Sequence, residues 1–417
     1  MENKPPVTNR EMTRFSIGVL AFCAVMNFFS RGFSENFAIF LLPVTEDLGW
    51  NRSAFGSIYF VYMVAHGFSA PAIGMLFDRY GPKLSYLSGL VLFGTGLLIA
   101  SQMNSIWEAM LGLGVMLGVA VSATGMPAAS GLVSRWFTRR ITFANAIAFA
   151  GMPAGLIVLS PAIHLLIEAT DWRSAYGVLG RVIWCLVPIV LFLPWKRIAG
   201  GAGNNAFSGH ERPRFIETAV WRDVPFWGLF GTYFIASATS WSIMLQTVAY
   251  LVSVGFDPLL AATAYGAVGS MSVVGIIASG WACDRFGQRN VVTLGYAGTV
   301  LGILFLWLLG VSPGIVGLVA FVVMFGTSMG TRAPAVSALV AKLYPKNVAA
   351  VYGGVTIGLG LGGAVGGWAS GSLYDLTGGY ETGFALAMIT SAIGSSLFWL
   401  IGPLSAGRWP TSETKRI

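Results

Sequence analysis

Three ionisable residues stand inside strongly apolar stretches of the sequence. Arg31 and Glu35 interrupt the run "NFFSRGFSENFAIFLLP", from Asn27 to Pro43, and Arg332 lies in "GTSMGTRAPAVSALVAK". A charge in hydrocarbon costs about 2.5–3.5 kcal/mol on insertion scales, so such residues usually face a cavity or each other. Arginine suits a carboxylate ligand because its planar fork can donate two parallel hydrogen bonds. The chemistry that these residues favour is therefore the binding of an organic anion.

Each of these residues also has a purely structural interpretation. Arg31 and Glu35 are four positions apart, so they lie on one face of a helix and could simply pair with each other. Arg332 could instead bind backbone carbonyls at a bend near Pro334. Arg181, in another apolar stretch, is interpreted as a packing or snorkelling residue.

Other polar side chains in apolar stretches could bind a ligand or carry a proton. Asn27, Tyr233 and Gln246 could donate to a ligand, although each could equally form a hydrogen bond between helices. His66 could titrate near neutral pH or serve as a structural hydrogen bonder. Glu35 is the first candidate proton carrier, because a buried carboxylate can take up a proton when its arginine partner turns to a ligand. The predicted anion-binding residues are Arg31, Arg332, Asn27, Tyr233 and Gln246, and the predicted proton-coupling residues are Glu35 and His66.

The composition of the whole chain is that of a polytopic membrane protein. Its 417 residues are 55% hydrophobic and only 10% charged, with a mean hydropathy of +0.72. A soluble domain carries about 25% charged residues, and apolar stretches of about 20 residues, long enough to cross a bilayer, recur along this chain. The run that opens at Phe15 exceeds a signal-peptide core and has no small-residue cleavage site after it, which favours a first membrane span. Twelve spans are predicted, at about 15–43, 53–77, 84–102, 105–134, 141–167, 174–195, 224–252, 258–283, 290–309, 313–342, 348–373 and 382–404.

The basic residues are distributed very unevenly between the two sides of the predicted membrane. Of the 25 lysines and arginines, 20 lie on the side shared by both termini, whereas only Arg52 and Arg173 lie on the opposite side. The positive-inside rule therefore places both termini in the cytoplasm. The net charge of +8 is then a topology signal, and no nucleic-acid partner is expected. The polar segment 196–223 is predicted to be a cytoplasmic linker between two halves, residues 1–195 and 224–417.

One loop motif occurs twice in the sequence. "GMLFDRYGPK", from Gly74 to Lys83, follows the second predicted span, and "GWACDRFGQR", from Gly280 to Arg289, follows the eighth. The copies stand about half a chain length apart, which indicates two six-span halves that repeat in parallel. The aspartate can accept from backbone donors at a helix start, the arginine can pair with carboxylates, and the second glycine permits a tight turn. The predicted gating residues are Gly74, Asp78, Arg79, Gly81, Asp284 and Arg285.

This doubled motif, G-x-x-x-D-R-x-G-x-[KR], resembles the signature loop of the major facilitator superfamily. Four further segments resemble its monocarboxylate and oxalate–formate transporter branch: "PVTEDLGWNRS", "SRWFTRRITFANAIAFAGMPAG", "DWRSAYGVLG" and "GGVTIGLGLGGAVGGWASGSLYDLTGGY". The resemblance implies an all-α polytopic membrane protein of twelve transmembrane helices in two six-helix halves. It also implies that spans one, four, seven and ten line a central cavity. Arg31 and Arg332 would then form a cationic clamp from opposite halves.

The chain also departs from that branch. Spans eight and eleven contain no basic residue, although relatives often carry an arginine in span eight that meets the carboxylate. Glu35 falls near the position where some monocarboxylate carriers place a lysine. The resemblance therefore leaves the substrate open, and a different acid or a larger amphipathic one is compatible with the sequence.

The function expected from these features is secondary active transport of a small organic anion, with a monocarboxylate as the first candidate. Proton symport by alternating access, in the inner membrane of a bacterium, is the expected mode, and exchange of two anions is an alternative. Export of amphipathic or drug-like compounds is a further alternative, and a receptor on a transporter fold would need a longer soluble domain. An enzyme is not expected, since three scattered histidines provide no nucleophile–base spacing, metal cluster or nucleotide loop. The expected partners of this monomer are its anionic substrate and membrane lipid, with no cofactor and no metal.

Overall fold

The fold is a bundle of membrane-spanning helices. The computed structural model describes residues 9–137, 144, 147–200, 220–344, 348–402 and 404, and every regular element in that part of the chain is helical. Nine helical stretches among these residues are long and apolar enough to cross a membrane by length and composition. The predicted linker 196–223 begins with the short helix Trp195–Ile198 and ends with the turn Val220–Arg222, and its middle lies outside the described residues.

The helices correspond to the twelve predicted spans, with shifts at the ends, and the start of span five, predicted from residue 141, lies partly outside the described residues. Spans one to six are Asn9–Ser34 with Phe37–Leu48, Arg52–Tyr80, Pro82–Ala100, Ile106–Trp136 in consecutive segments, Gly151–Ala169 and Trp172–Leu191. Spans seven to twelve are Val224–Ser253, Pro258–Phe286, Gln288–Leu308, Ile315–Gly330 with Arg332–Leu343, Val348–Thr377 and Glu381–Leu400. We call the end of the bundle opposite the chain termini the far side; span one ends there and span two begins there.

Spans four and ten are interrupted where the sequence has a proline. Span four breaks at Gly125, two residues before Pro127, and span ten breaks at Thr331, before Pro334. A proline has no N–H to offer the carbonyl four residues earlier, so the helix ladder is interrupted there. In span four that carbonyl belongs to Ala123, and it accepts instead from the hydroxyl of Ser85 in span three at 3.1 Å. The break is therefore stabilised by a neighbouring helix.

Span one is interrupted for a different reason, and at the residues that carry its charge. The helix turns at Glu35 and Asn36 before it resumes at Phe37. The amide nitrogen of Asn36 donates back to the carbonyl of Gly32, and its amide oxygen accepts from Ser160 of span five at 2.7 Å. A side-chain hydrogen bond thus replaces one of the backbone hydrogen bonds of the helix, as asparagine side chains do at turns. The break brings the Glu35 backbone into contact with the opposite half.

Small residues allow the two halves to approach closely. A Cβ atom on Gly56 of span two would lie 3.0 Å from the carbonyl oxygen of Gly367 in span eleven. A Cβ atom on Gly266 of span eight would lie 2.7 Å from the carbonyl oxygen of Leu156 in span five. Small residues at helix contacts are the usual way to obtain close packing in lipid, where little hydrophobic force acts between helices. Spans two with eleven and five with eight therefore join the halves.

A candidate substrate site between the two halves

The side chain of Arg31 is at the centre of a buried polar cluster in the first half. Its Nη1 atom donates to Glu35 Oε1 at 2.5 Å, and its Nη2 atom lies 3.2 Å from His66 Nε2. The side chains of Arg31 and Glu35 are only 13% and 10% exposed. Arg31 is thus held by a carboxylate from its own helix and by an imidazole from span two.

The hydrogen bonds around His66 define its tautomer. A guanidinium only donates, so Nε2 must accept from Arg31 and the ring is neutral. The proton then resides on Nδ1, which lies 2.8 Å from Ser122 Oγ in span four. The Ser122 hydroxyl can accept that bond while it donates to the backbone carbonyl of His66 at 2.9 Å. Ser69 Oγ, 3.0 Å from Ser122 Oγ, completes a chain of polar groups through three helices.

The cluster also touches the second half of the molecule. The hydroxyl of Tyr265, in span eight, donates to the backbone carbonyl of Glu35 at the break in span one. Tyr59 and Tyr62 of span two are buried, and both interact electrostatically with Arg31 and Glu35. The site is therefore built from spans one, two, four and eight, and a change in the separation of the halves must alter it.

Arg332 lies elsewhere in the bundle. Its guanidinium is buried against span nine, where Nη2 donates to the hydroxyl of Thr299 and to the carbonyl of Gly295 at 3.4 Å. Its Cζ atom lies 4.3 Å from the centre of the Tyr296 ring, a cation–π contact. Among the described residues no hydrogen bond, ion pair or ring contact joins Arg332 to Arg31. The two-arginine clamp therefore stays a prediction, and in this conformation Arg332 fastens span ten to span nine.

The three other predicted ligand residues are buried in helix contacts. Asn27 donates to the carbonyls of Cys23 at 2.9 Å and of Ala148 at 3.2 Å, so it links span one to the segment that leads into span five. Tyr233 is buried in the core of the second half. Gln246 accepts from Arg52 at 3.1 Å and donates to Ser370 at 3.4 Å. Their predicted contact with a substrate stays a prediction.

A set of contacts around Arg52 closes the far side, and sequence analysis assigned Arg52 no role beyond topology. The backbone N–H of Arg52 donates to Asp375 Oδ1 at 3.1 Å, so a carboxylate of the second half sits on the start of span two. The guanidinium donates to Gln246 and to the hydroxyl of Tyr380. Its Cζ atom lies 3.5 Å from the centre of the Tyr374 ring. We call Arg52, Asp375, Gln246, Tyr374 and Tyr380 the far-side latch.

The doubled loop motif has the backbone geometry that its glycines predict. Gly81 has φ +85° and Gly287 has φ +81°, values that favour glycine, and each N–H closes the preceding helix. Arg79 is exposed beside the ring of Tyr80, and Arg285 lies beside the rings of its own helix end. Gly74 lies within the helix of span two. The side chains of Asp78 and Asp284 lie outside the described residues, so the gating role stays a prediction.

The comparison with protein families agrees with this architecture. The model of the Major Facilitator Superfamily matches residues 20–331 and 271–416, which together cover nearly the whole chain. The chain therefore belongs to the major facilitator superfamily, a family of transporters and not of enzymes. The fold predicted from the doubled motif is confirmed.

Curated relatives place the similarity within that superfamily. Monocarboxylate transporter 13 of Bos taurus is 25% identical over 394 residues, which is 92% of this chain and 88% of the relative. The 4-hydroxybenzoate transporter PcaK of Pseudomonas aeruginosa is 26% identical over 402 residues, 88% of each chain. The predicted similarity to monocarboxylate transporters is confirmed.

Solved structures show the same fold. A mutant of the nucleoside transporter NupG superimposes with a TM-score of 0.75 at 16% identity, covering 93% of this chain and 98% of that one. A bacterial homologue of the lysosomal transporter Spinster, in an inward-facing and unoccupied conformation, has a TM-score of 0.74 at 11% identity and covers 97% of this chain and 100% of that one. At these identities the likeness concerns the fold alone.

Proposed function

We propose that this protein is a proton-coupled transporter of monocarboxylates in which Arg31 binds the carboxylate. The observation that carries the proposal is the buried Arg31, held between Glu35 and His66 next to the contact between the halves. The names of the curated relatives, a monocarboxylate transporter and a 4-hydroxybenzoate transporter, support an organic acid as the substrate. The proposed location is the inner membrane of a bacterium, with both termini in the cytoplasm.

The first step of the proposed cycle is an exchange of partners at Arg31. A carboxylate substrate can replace Glu35 on the guanidinium, because both groups are carboxylates that accept charged hydrogen bonds from arginine. Arg31 keeps one anionic partner throughout, so the buried cation is never left unpaired. Such an unpaired buried charge would be strongly unfavourable.

The second step is the uptake of a proton by the displaced Glu35. Without Arg31 as its partner, a carboxylate buried at this place is more stable in the neutral form, because burial penalises the charged form. The site then holds one substrate anion, one arginine cation and a neutral glutamic acid, so its net charge equals that of the empty site. One proton would therefore move with each monocarboxylate, and the transport cycle would be electroneutral.

His66 is the alternative proton carrier. Its Nε2 lone pair is occupied by the Arg31 donor in the observed conformation. When Arg31 turns to the substrate, that lone pair becomes free to accept a proton. Glu35 and His66 thus compete for one role, and substitutions at the two positions distinguish them.

Alternating access would break and remake the contacts between the halves. The far-side latch holds the halves together at one end, and Tyr265 holds Glu35 from the opposite half deeper in the bundle. We propose that the latch opens when the far side is exposed and that its partner residues separate. Gln246 would then act in gating as well as in the substrate contact predicted for it.

Uptake into proteoliposomes tests the proposed function. The panel contains labelled lactate, pyruvate, oxalate, formate and benzoate, each with and without an inward proton gradient. Accumulation of a monocarboxylate that follows the gradient and ignores an imposed potassium diffusion potential is the expected result. Uptake that requires an anion inside the vesicles and does not depend on the proton gradient would indicate exchange instead. No uptake of any acid, by vesicles shown to contain folded protein, would contradict the proposal and favour export of other compounds.

A further inference from the structure

We infer that the site selects aromatic monocarboxylates, with the ring of the substrate held by Tyr59 of the first half and Trp241 of the second. The inference rests on the proposed function, since it takes Arg31 as the anchor of the carboxylate. It adds a specificity that neither the fold nor the charge of Arg31 requires.

Aromatic side chains are concentrated around the Arg31 cluster. The ring of Tyr59 lies 5.2 Å from that of Phe37, 5.7 Å from that of Tyr62 and 5.4 Å from that of Trp241. The ring of Tyr62 is nearly parallel to the imidazole of His66, with 6.3 Å between their centres. These distances lie within the range of edge-to-face and stacked contacts, in which the positive edge of one ring meets the negative face of another.

Several polar atoms in the same place lack a hydrogen bond of normal geometry, although the Tyr62 hydroxyl lies near Ser34 and Arg31. Tyr59 Oη, Tyr62 Oη, Ser34 Oγ and Arg31 Nε are buried, and none of them makes a hydrogen bond of normal geometry with the described residues. Buried polar groups are almost always hydrogen-bonded, so a cluster of unpaired ones needs an explanation. Arg31 Nε can only donate, and a hydroxyl can donate or accept. A carboxylate supplies the acceptors that this cluster lacks.

The unpaired atoms and the rings together define the shape of the ligand. Arg31 and the nearby hydroxyls would bind the carboxylate, and the rings beside them would contact a flat apolar body attached to it. A two- or three-carbon acid would fill the polar part of the site and leave the aromatic part without a partner. A saturated ring would fill the same space without the favourable electrostatics of ring edges and faces.

Trp241 gives this arrangement a link to the transport cycle. Trp241 belongs to span seven and is only partly buried, whereas Tyr59 belongs to span two and is 1% exposed. Gly363 of span eleven leaves room for the indole, because a Cβ atom there would lie 3.0 Å from Trp241 Cδ1. The rings of Tyr59 and Trp241 are in contact with each other, so a substrate ring that packed against both of them would touch both halves at once. Such a ligand would favour the conformation in which the halves are close around it.

A pair of matched acids tests the inference in the reconstituted full-length protein. Benzoate and cyclohexanecarboxylate carry the same anion on six-membered rings of similar size, and lactate serves as the small acid. One labelled acid, the one that the protein takes up best, is used throughout. The readout is the concentration of each unlabelled acid that halves the uptake of this labelled acid. We expect benzoate to compete at a concentration at least about fivefold lower than cyclohexanecarboxylate, as one or two ring contacts would give.

Two variants assign the preference to the rings. In Trp241→Leu, the competing concentrations of benzoate and cyclohexanecarboxylate are expected to lie within about twofold of each other. Trp241→Phe is expected to retain the preference for benzoate. The matched control is Trp107→Leu, which removes an indole that is 75% exposed at the start of span four. Tyr59→Leu, measured alongside, gives the same comparison if Trp241→Leu does not fold.

The outcomes separate the two proposals. Equal competition by benzoate and cyclohexanecarboxylate in the unmodified protein would overturn the aromatic preference and leave monocarboxylate transport standing. Uptake of lactate without competition by benzoate would do the same. No uptake of any of the three acids would contradict the proposed function itself. Preference for benzoate that survives Trp241→Leu and Tyr59→Leu would overturn the assignment to these rings.

Discussion

Arg31 and His66 stand on different helices, yet Arg31 Nη2 lies 3.2 Å from His66 Nε2. Because the guanidinium can only donate, the contact requires a neutral imidazole with its lone pair directed at Arg31. The other terminal nitrogen of Arg31 donates to Glu35 at 2.5 Å. One cation therefore occupies both groups that could carry a proton, and whatever removes Arg31 from them frees both at once. This relationship is the structural basis that we propose for coupling anion binding to proton uptake.

Glu35→Gln should separate proton coupling from substrate movement. Glutamine keeps the size of the side chain and an acceptor for Arg31, but it cannot take up a proton. We expect gradient-driven accumulation to fall at least about tenfold, while exchange of labelled for unlabelled substrate across the membrane persists. The measurement is uptake with a proton gradient beside counterflow without one.

The same two assays on His66→Gln provide the comparison for Glu35. If Glu35 carries the proton, His66→Gln retains accumulation. Loss of accumulation in His66→Gln with full accumulation in Glu35→Gln would transfer the role to the histidine. Accumulation that persists in both single variants would contradict proton coupling through this cluster.

Arg332→Met should act on stability and not on substrate affinity. The substitution leaves the hydroxyl of Thr299 and the carbonyl of Gly295 without their donor and removes the cation from the Tyr296 ring. We expect the free energy of unfolding to fall by about 1–3 kcal/mol, with KM unchanged. The measurements are a thermal melt of the purified protein and the KM for uptake. Arg181→Met is the control, since Arg181 is exposed and, within the part of the chain that the structure describes, donates to Gly177 in its own helix.

A different result for Arg332 would restore the clamp. A KM at least tenfold higher, with the melting temperature unchanged, would make Arg332 the second cation that the sequence predicts. It would also require a conformation in which the guanidinium leaves span nine.

Arg52→Ala should loosen the far side of the molecule. The alanine retains the backbone bond to Asp375 but loses the guanidinium contacts with Gln246, Tyr380 and Tyr374. The probe is a cysteine in place of the fully buried Thr247, one residue after Gln246. We expect this cysteine to react severalfold faster with a membrane-impermeant maleimide, applied from the far side, in Arg52→Ala than in the protein that retains Arg52. The three native cysteines are replaced for this experiment.

Arg173→Ala is the matched control for the far-side latch. Arg173 is also an arginine on the far side, but it binds Met103, Asn104 and Asp47 within the first half. Its removal should leave the labelling rate unchanged. Equal rates in Arg52→Ala and the unmodified background would show that Arg52 does not hold the halves together.

Sequence reasoning succeeded where one helix or one motif contains the whole signal. The pairing of Arg31 with Glu35 follows from their spacing of four residues, and the left-handed turn at Gly81 follows from the loop motif. The twelve spans follow from hydropathy and length. In each case the interacting groups are neighbours in the chain, or bilayer thickness alone sets the constraint.

The contacts that the sequence did not predict join helices that are distant in the chain. His66 reaches Arg31 across 35 residues, and Arg52 reaches Gln246 across 194. Which faces of two helices meet depends on packing throughout the bundle, and one sequence does not contain that information. The interruptions at Gly125 and Thr331 had a signal in the prolines that follow them, whereas the break at Glu35 depends on Ser160 of another span.

Counterflow in proteoliposomes, with the unmodified protein beside Arg31→Gln, tests the central claim most directly. Vesicles loaded with an unlabelled monocarboxylate that the protein transports receive the labelled acid outside, and no proton gradient is applied, so the assay reports binding and movement of the anion alone. Arg181→Gln controls for the loss of a positive charge within a span. If Arg31 binds the carboxylate, Arg31→Gln raises the half-saturating concentration at least about tenfold, because a charged pair of hydrogen bonds is lost, and Arg181→Gln does not. Exchange by folded Arg31→Gln with unchanged half-saturation would contradict the account.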